Sequence, residues 1–132
     1  MDVVERKRYR VLAAEDDPHL RDMLHDALAL EGFDACCVED GQEAREQFGS
    51  TGPYDALLLD DRMPNLSGRE LLRELRAAGE NIPALIISGG CELDDDERAL
   101  LRPAAILRKP IPVSEISRAL RDAIEAGRRS SS

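Results

Sequence analysis

Apolar residues in this chain alternate between two patterns. Short runs at Tyr9–Ala14, Phe33–Val38, Ala56–Leu59, Pro83–Ile87 and Ala104–Leu107 are apolar almost throughout, as expected of strands covered on both faces. Between them, apolar residues recur at spacings of three and four, which predicts helices. Leu20, Met23, Leu24, Ala27 and Leu28 form the first core-facing stripe. It opens on Asp17-Pro18, a cap followed by a proline at the first helical position, and ends at Gly32. Asp40 with Glu43 opens a shorter second helix carrying Ala44 and Phe48. Ser67 with Glu70 has capping-box spacing at the head of a third, which buries Leu71, Leu72 and Leu75 and closes at Gly79. Acids at positions 94 to 97 favour a fourth start, but Pro103 limits that helix to about two turns. Ile116, Ala119, Leu120, Ala123 and Ile124 mark the fifth, ahead of an arginine-rich, serine-ended tail.

Strict strand-helix alternation implies an α/β domain: a doubly wound, five-stranded parallel sheet with five helices and right-handed crossovers. Among doubly wound orders, five strands best fit the flavodoxin-like order 2-1-3-4-5. That order sets the first strand beside the third. Glu15 and Asp16, which end the first, then share the carboxyl edge of the sheet with Asp60, which ends the third.

Three carboxylates held together raise one another's pKa, and a divalent cation relieves the repulsion. Oxygen donors with positions left for water and a phosphate suit magnesium. The fourth strand ends in the hydroxyl of Ser88 and the fifth in the ammonium of Lys109. A cation site, a hydroxyl and an ammonium around one carboxylate make a receptor for a phosphoryl group in transfer.

These residues also carry a family resemblance. Glu15-Asp16, Asp60-Asp61-Arg62-Met63-Pro64 with Gly68, Ser88-Gly89 and Lys109-Pro110 stand in order at four strand ends. Over residues 9–126 the chain resembles the receiver domain of bacterial two-component response regulators. The resemblance implies that Asp60 accepts a phosphoryl group from the phosphohistidine of a histidine kinase or histidine phosphotransfer protein. It further implies that Glu15, Asp16, Asp60 and the backbone carbonyl of Arg62 hold Mg2+, or Mn2+ in its place. Lys109 would pair with the acid or its phosphoryl oxygens, Ser88 would bond the phosphoryl group and draw its loop inward, and the Lys109-Pro110 bond would be cis. Such a domain assists its own phosphorylation and dephosphorylation and is otherwise no enzyme. Its exposed fourth and fifth helices would face the downstream protein target.

Two stretches depart from the family pattern. Ile106 stands where a Tyr or Phe usually lies three residues before the lysine, so of the two switch positions, Ser88 and Ile106, the second cannot swing an aromatic ring. Arg102-Pro103-Ala104 replaces the usual glycine-alanine pair. With the short acidic fourth helix, this predicts that the helix 4 region moves or orders as a whole. Arg62, two residues past the acceptor, has two readings: a modulator of phosphoryl lifetime, or an exposed loop arginine.

Composition narrows the function classes. The 132 residues suffice for one core, read as a domain over 9–126 with a basic lead at 1–8 and a short tail at 127–132. Both ends are basic, so the body between them is more acidic than the net −9, which repels nucleic acid. No apolar run approaches the roughly 20 residues of a membrane span, so a cytoplasmic protein without membrane contact is expected. The three cysteines read as small buried hydrophobes, with Cys36 and Cys37 pointing to opposite faces of their strand. The leading expectation is a stand-alone receiver that switches a protein-interaction surface. A phosphorelay or hybrid-kinase receiver is close to it, as the wording Ser67-Gly68-Arg69-Glu70-Leu71 and Leu101-Arg102-Pro103 suggests. A phosphorylation-independent receiver-like binding module is the alternative from another class. A magnesium-dependent phosphohydrolase of the haloacid dehalogenase type would place its Asp after the first strand, with a second acid two residues on. A flavodoxin would need a phosphate loop where Glu15-Asp16-Asp17 stands.

Overall fold

Each apolar run is a strand of one parallel sheet in the computed structural model, which describes residues 8–90 and 93–130. The strands are β1 (Arg10–Ala14), β2 (Asp34–Val38), β3 (Ala56–Asp60), β4 (Ala84–Ser88) and β5 (Ala105–Arg108), in the order β2-β1-β3-β4-β5. Every pairing is parallel: Leu12 aligns with Cys36 and Leu57, Leu59 with Ile86, and Ile86 with Ile106. The connecting helices are α1 (Pro18–Leu30), α2 (Gly41–Thr51), α3 (Gly68–Ala77) and α4 (Asp95–Leu101), and α5 (Val113–Ser130) ends the fold.

The pleat divides the apolar residues between two layers. Leu12, Leu57, Leu59 and Ile86 pack with Ala44 of α2, Leu71, Leu72 and Leu75 of α3, and Leu101 of α4. Val11, Ala13, Leu58, Leu85 and Ile87 pack with Leu24 and Leu28 of α1 and Ile116, Leu120 and Ile124 of α5. Burying each large side chain contributes about 1.5–3 kcal/mol. The continuous runs of β3 and β4 follow from this double cover, since both strands are buried along their whole length.

Helix ends obey the expected local chemistry. Asp17 accepts from the amides of His19 and Leu20, and Asp40 from that of Glu43, while Ser67 with Glu70 and Asp94 with Glu97 close full capping boxes. Gly32 (φ 93°) and Gly79 (φ 87°) turn the chain out of α1 and α3. α4 is only seven residues long and ends on Arg102 in the left-handed region, immediately before Pro103.

Three expectations need correction. The apolar stripe of α1 is not core-facing throughout: Leu20 and Met23 are 44 % and 62 % exposed. Both line an open groove beside Lys109, Ile111 and Val113, while Leu24 and Leu28 are buried in the layer beneath α1. Cys36 and Cys37 pack against opposite layers but are half-buried, because β2 is an edge strand. α5 does not stop at 126, since residues 127–130 continue it. Cys91, most of the basic lead (1–7) and residues 131–132 lie outside the described residues. No helix among the described residues is long and apolar enough to cross a membrane.

Candidate functional site

β1 and β3 are adjacent, so the acids that end them meet. Asp60 is 4 % and Glu15 6 % exposed, while Asp16 faces solvent. One carboxylate oxygen from each of Glu15, Asp16 and Asp60 lies within 4.8 Å of the other two. Lys109, one residue past β5, reaches across β4 to place its Nζ 2.8 Å from Asp60 Oδ2 and 3.8 Å from Glu15 Oε1. Its amide donates to the carbonyl of Ser88 (2.9 Å), continuing the β4–β5 ladder to the site. The Lys109-Pro110 bond is cis as expected; Gly52-Pro53 is cis too, which the sequence reading did not foresee.

Burial is the main force that pushes the Glu15 carboxyl up from 4.5 to about 7, and the charge of Asp60 adds to it. An N–H···O bond from the Asp17 amide (3.1 Å) and the Lys109 ammonium act against that rise without cancelling it. For Lys109 burial works against the charged form. The hydrogen bond and charge of Asp60, with Glu15 and Asp16 behind them, outweigh burial and raise its pKa. The edge therefore carries more negative charge than one ammonium balances, presented entirely as oxygen donors. That is the donor set a small, hard divalent cation takes.

The remaining expected residues surround this centre. The Arg62 amide donates to Asp60 Oδ1 (3.2 Å), while its side chain is exposed. Ser88, 4 % exposed, accepts from the Gly90 amide at 3.2 Å. Ile106 is half-buried in the layer that contains Leu93 and Leu101. Gly68 has a steric reason to be glycine: a Cβ there would lie 2.5 Å from the Asp60 carbonyl oxygen, so a side chain would push α3 away from the end of β3.

Several contacts were not foreseen. The Arg21 guanidinium donates to the Glu15 carbonyl (3.0 Å), tying α1 to the backbone of the acid pair. The Asn65 side chain donates to Asp40 at 2.8 Å, fastening the loop after β3 to the cap of α2. Asp61, 7 % exposed, takes a two-pronged bond from Arg69 Nε and an η nitrogen at 2.9 and 2.8 Å. Arg69 also donates to Glu97 at the head of α4 (3.0 Å), and Arg73 lies 3.7 Å from the same carboxylate. The bond to Asp61 raises the Arg69 pKa above its already high value, despite burial. The available sequence signal was the i, i+4 placement of Arg69 and Arg73 on one face of α3. Arg76, 8 % exposed, has its pKa lowered chiefly by burial. It donates to the carbonyls of Leu101, Glu80, Ile82 and Arg102 at 2.7–3.3 Å.

Comparison with known proteins agrees with this layout. The family model described as "Response regulator receiver domain" matches residues 11–121. Response regulator MprA of Mycobacterium ulcerans (strain Agy99) is 39 % identical over 79 residues, 60 % of this chain and 34 % of that protein. The alignment to such curated relatives thus spans about a third of their length. Among solved structures, a sensor protein from Polaromonas sp. JS666 is 30 % identical with a TM-score of 0.82, covering 91 % of this chain and 98 % of that one. A CheY-like receiver domain protein from Methanospirillum hungatei JF-1 shares the fold at a TM-score of 0.85 and 17 % identity, covering 94 % and 99 %. With its parallel sheet in the order β2-β1-β3-β4-β5 and its acidic edge, the chain belongs to the response regulator receiver domain family of two-component systems.

Proposed function

We propose that Asp60 is the phosphoacceptor of this receiver. The observation that carries the reading is Lys109 Nζ at 2.8 Å from Asp60, with Glu15 and Asp16 oxygens within 4.8 Å on the open edge. In the transfer a carboxylate oxygen of Asp60 bonds to the phosphorus as the bond from phosphorus to the donor's imidazole nitrogen breaks. The electron pair stays on the imidazole, and an acyl phosphate results. Lys109 offsets charge on the phosphoryl oxygens, the Arg62 amide holds the carboxylate in place, and the absence of a side chain at Gly68 lets α3 sit close against the Asp60 backbone. Mg2+ or Mn2+, held by Glu15, Asp16, Asp60 and the Arg62 carbonyl, would supply further positive charge at the same oxygens. The domain takes up and loses its own phosphoryl group and acts on no separate substrate.

The donor is a histidine kinase or histidine phosphotransfer protein. Leu20, Met23, Ile111, Val113 and Ile116 line a groove of about 280 Å³ that reaches Glu15 and Lys109, which supports an apolar donor surface seating beside the acceptor. The net charge of −9 supports a protein rather than a nucleic acid as the downstream target of this domain. The 30 % identity to the Polaromonas sensor protein favours a second context, a receiver that works within a sensor or relay. Intact mass after incubation with Mg2+ and acetyl phosphate tests the reading. One phosphoryl adduct is expected, dependent on the metal and absent from Asp60→Asn. An adduct that survives that substitution, or none with any phosphodonor, would overturn it.

A further inference from the structure

α4 is held by different chemistry at its two ends. Its C-terminal end carries Leu101, fully buried, and Arg76 clamps the carbonyls of Leu101 and Arg102 from within α3. Within the helix itself Leu101 is the one buried residue, and seven residues are too few to hold a helix by local bonds alone. Its N-terminal end depends on Leu93 just ahead of it and on Glu97, whose carboxylate meets Arg69 at 3.0 Å and Arg73 at 3.7 Å. Glu97 and Arg69 are each about a quarter exposed, so water can replace their bond. On its other side Arg69 grips Asp61, the residue peptide-bonded to Asp60.

We propose that Asp61–Arg69–Glu97 is a latch that holds the N-terminal end of α4 against α3 while Asp60 is unphosphorylated. Phosphorylation releases it, and the Arg76 clamp keeps the other end fixed. This rests on the phosphoacceptor reading above. A phosphoryl group enlarges the negative charge one residue from Asp61 and draws the shared guanidinium toward the acceptor side, away from Glu97. Glu97 keeps its bond to the Asp94 amide, so the helix loses its tether and not its cap. With isoleucine at 106 there is no aromatic ring to turn, and the ionic chain supplies a route from the acceptor to α4. Coupling is reciprocal: a latch that phosphorylation opens must itself oppose phosphorylation.

The test compares amide hydrogen exchange across residues 95–101 with the affinity for beryllofluoride in the presence of Mg2+, a mimic of the acyl phosphate. Glu97→Gln keeps a side chain able to close the capping box and removes the ionic tether. It should speed α4 exchange in the unliganded protein toward the beryllofluoride-bound level and tighten beryllofluoride binding about 3- to 10-fold. Arg69→Lys should act in the same direction, because one ammonium cannot span Asp61 and Glu97. Glu74→Gln, which cuts the Arg45–Glu74 pair between α2 and α3, should change neither. Wild-type exchange and affinity in Glu97→Gln would overturn the latch while leaving Asp60 as acceptor. Failure of wild-type protein to bind beryllofluoride would instead remove the phosphoacceptor reading, and the latch with it.

Discussion

Asp60 and Asp61 are neighbours in sequence, both nearly buried, and both paired to a cation, yet their surroundings differ in kind. Asp61 is matched: one planar guanidinium fills both of its oxygens, and that guanidinium with Arg73 also meets Glu97. Asp60 is less closely matched, since it shares the Lys109 ammonium with Glu15 in a cluster that also includes Asp16. A saturated fork fixes structure. A carboxylate with neighbours of its own sign and an open edge is arranged to accept a cation and a reacting group.

The largest test of this contrast is to break the ion pair on each side. Lys109→Gln should slow phosphorylation of Asp60 by acetyl phosphate on the order of 10²-fold, the usual loss when one preorganised charge is deleted from a transfer site. A rate within a factor of about three of wild type would mean that Lys109 is only a structural counterion. On the other side, Asp61→Asn leaves Arg69 without its buried partner. It should lower the stability read from the urea midpoint by about 1–3 kcal/mol while Asp60 still takes its adduct. Asp60→Asn removes one of three mutually repelling charges and should cost less. Equal losses at 60 and 61 would erase the distinction.

That contrast also marks what the sequence could disclose. Asp60 and Lys109 lie 49 positions apart, but each ends a recognisable strand, so strand order alone brings them together. The Asp61–Arg69–Glu97 chain spans three elements and has no such marker. Arginines on a charged helix face read as solvated until the neighbouring helix is placed. Arg76 was hidden for the same reason, because its partners are backbone carbonyls that carry no side-chain signal. Leu20 and Met23 show the converse: helical spacing tells which face of α1 is apolar, not how much of it the neighbouring elements cover. Caps, by contrast, were legible, since Asp17, Asp40 and Ser67 act within four residues of themselves, and the cap Asp94 lies in the acidic run that marked the start of α4.

The smallest effect, and the one that separates the two clusters most cleanly, is their response to pH. Glu15 is raised from 4.5 to about 7, chiefly by burial and further by Asp60. Its folded pKa lies above its unfolded one, so between those values the native state binds a proton that the unfolded chain has lost. The group's contribution to stability is therefore fully present below pH 4.5 and declines as pH rises to about 7. Mg2+ needs the ionised carboxylate, so its binding must expel that proton below pH 7 and strengthen as the pH approaches 7. Calorimetric titration with Mg2+ in two buffers of different ionisation heat reads the proton directly. Release should approach one per metal ion at pH 6 and fade by pH 8. Glu15→Gln should abolish the slope. Asp61→Asn should leave it in place, because Asp61 is not one of the three converging carboxylates and its partner Arg69 stays charged throughout. A slope that vanishes in Asp61→Asn as well would mean that the two clusters titrate as one, and that the matched fork is part of the metal site's electrostatics after all.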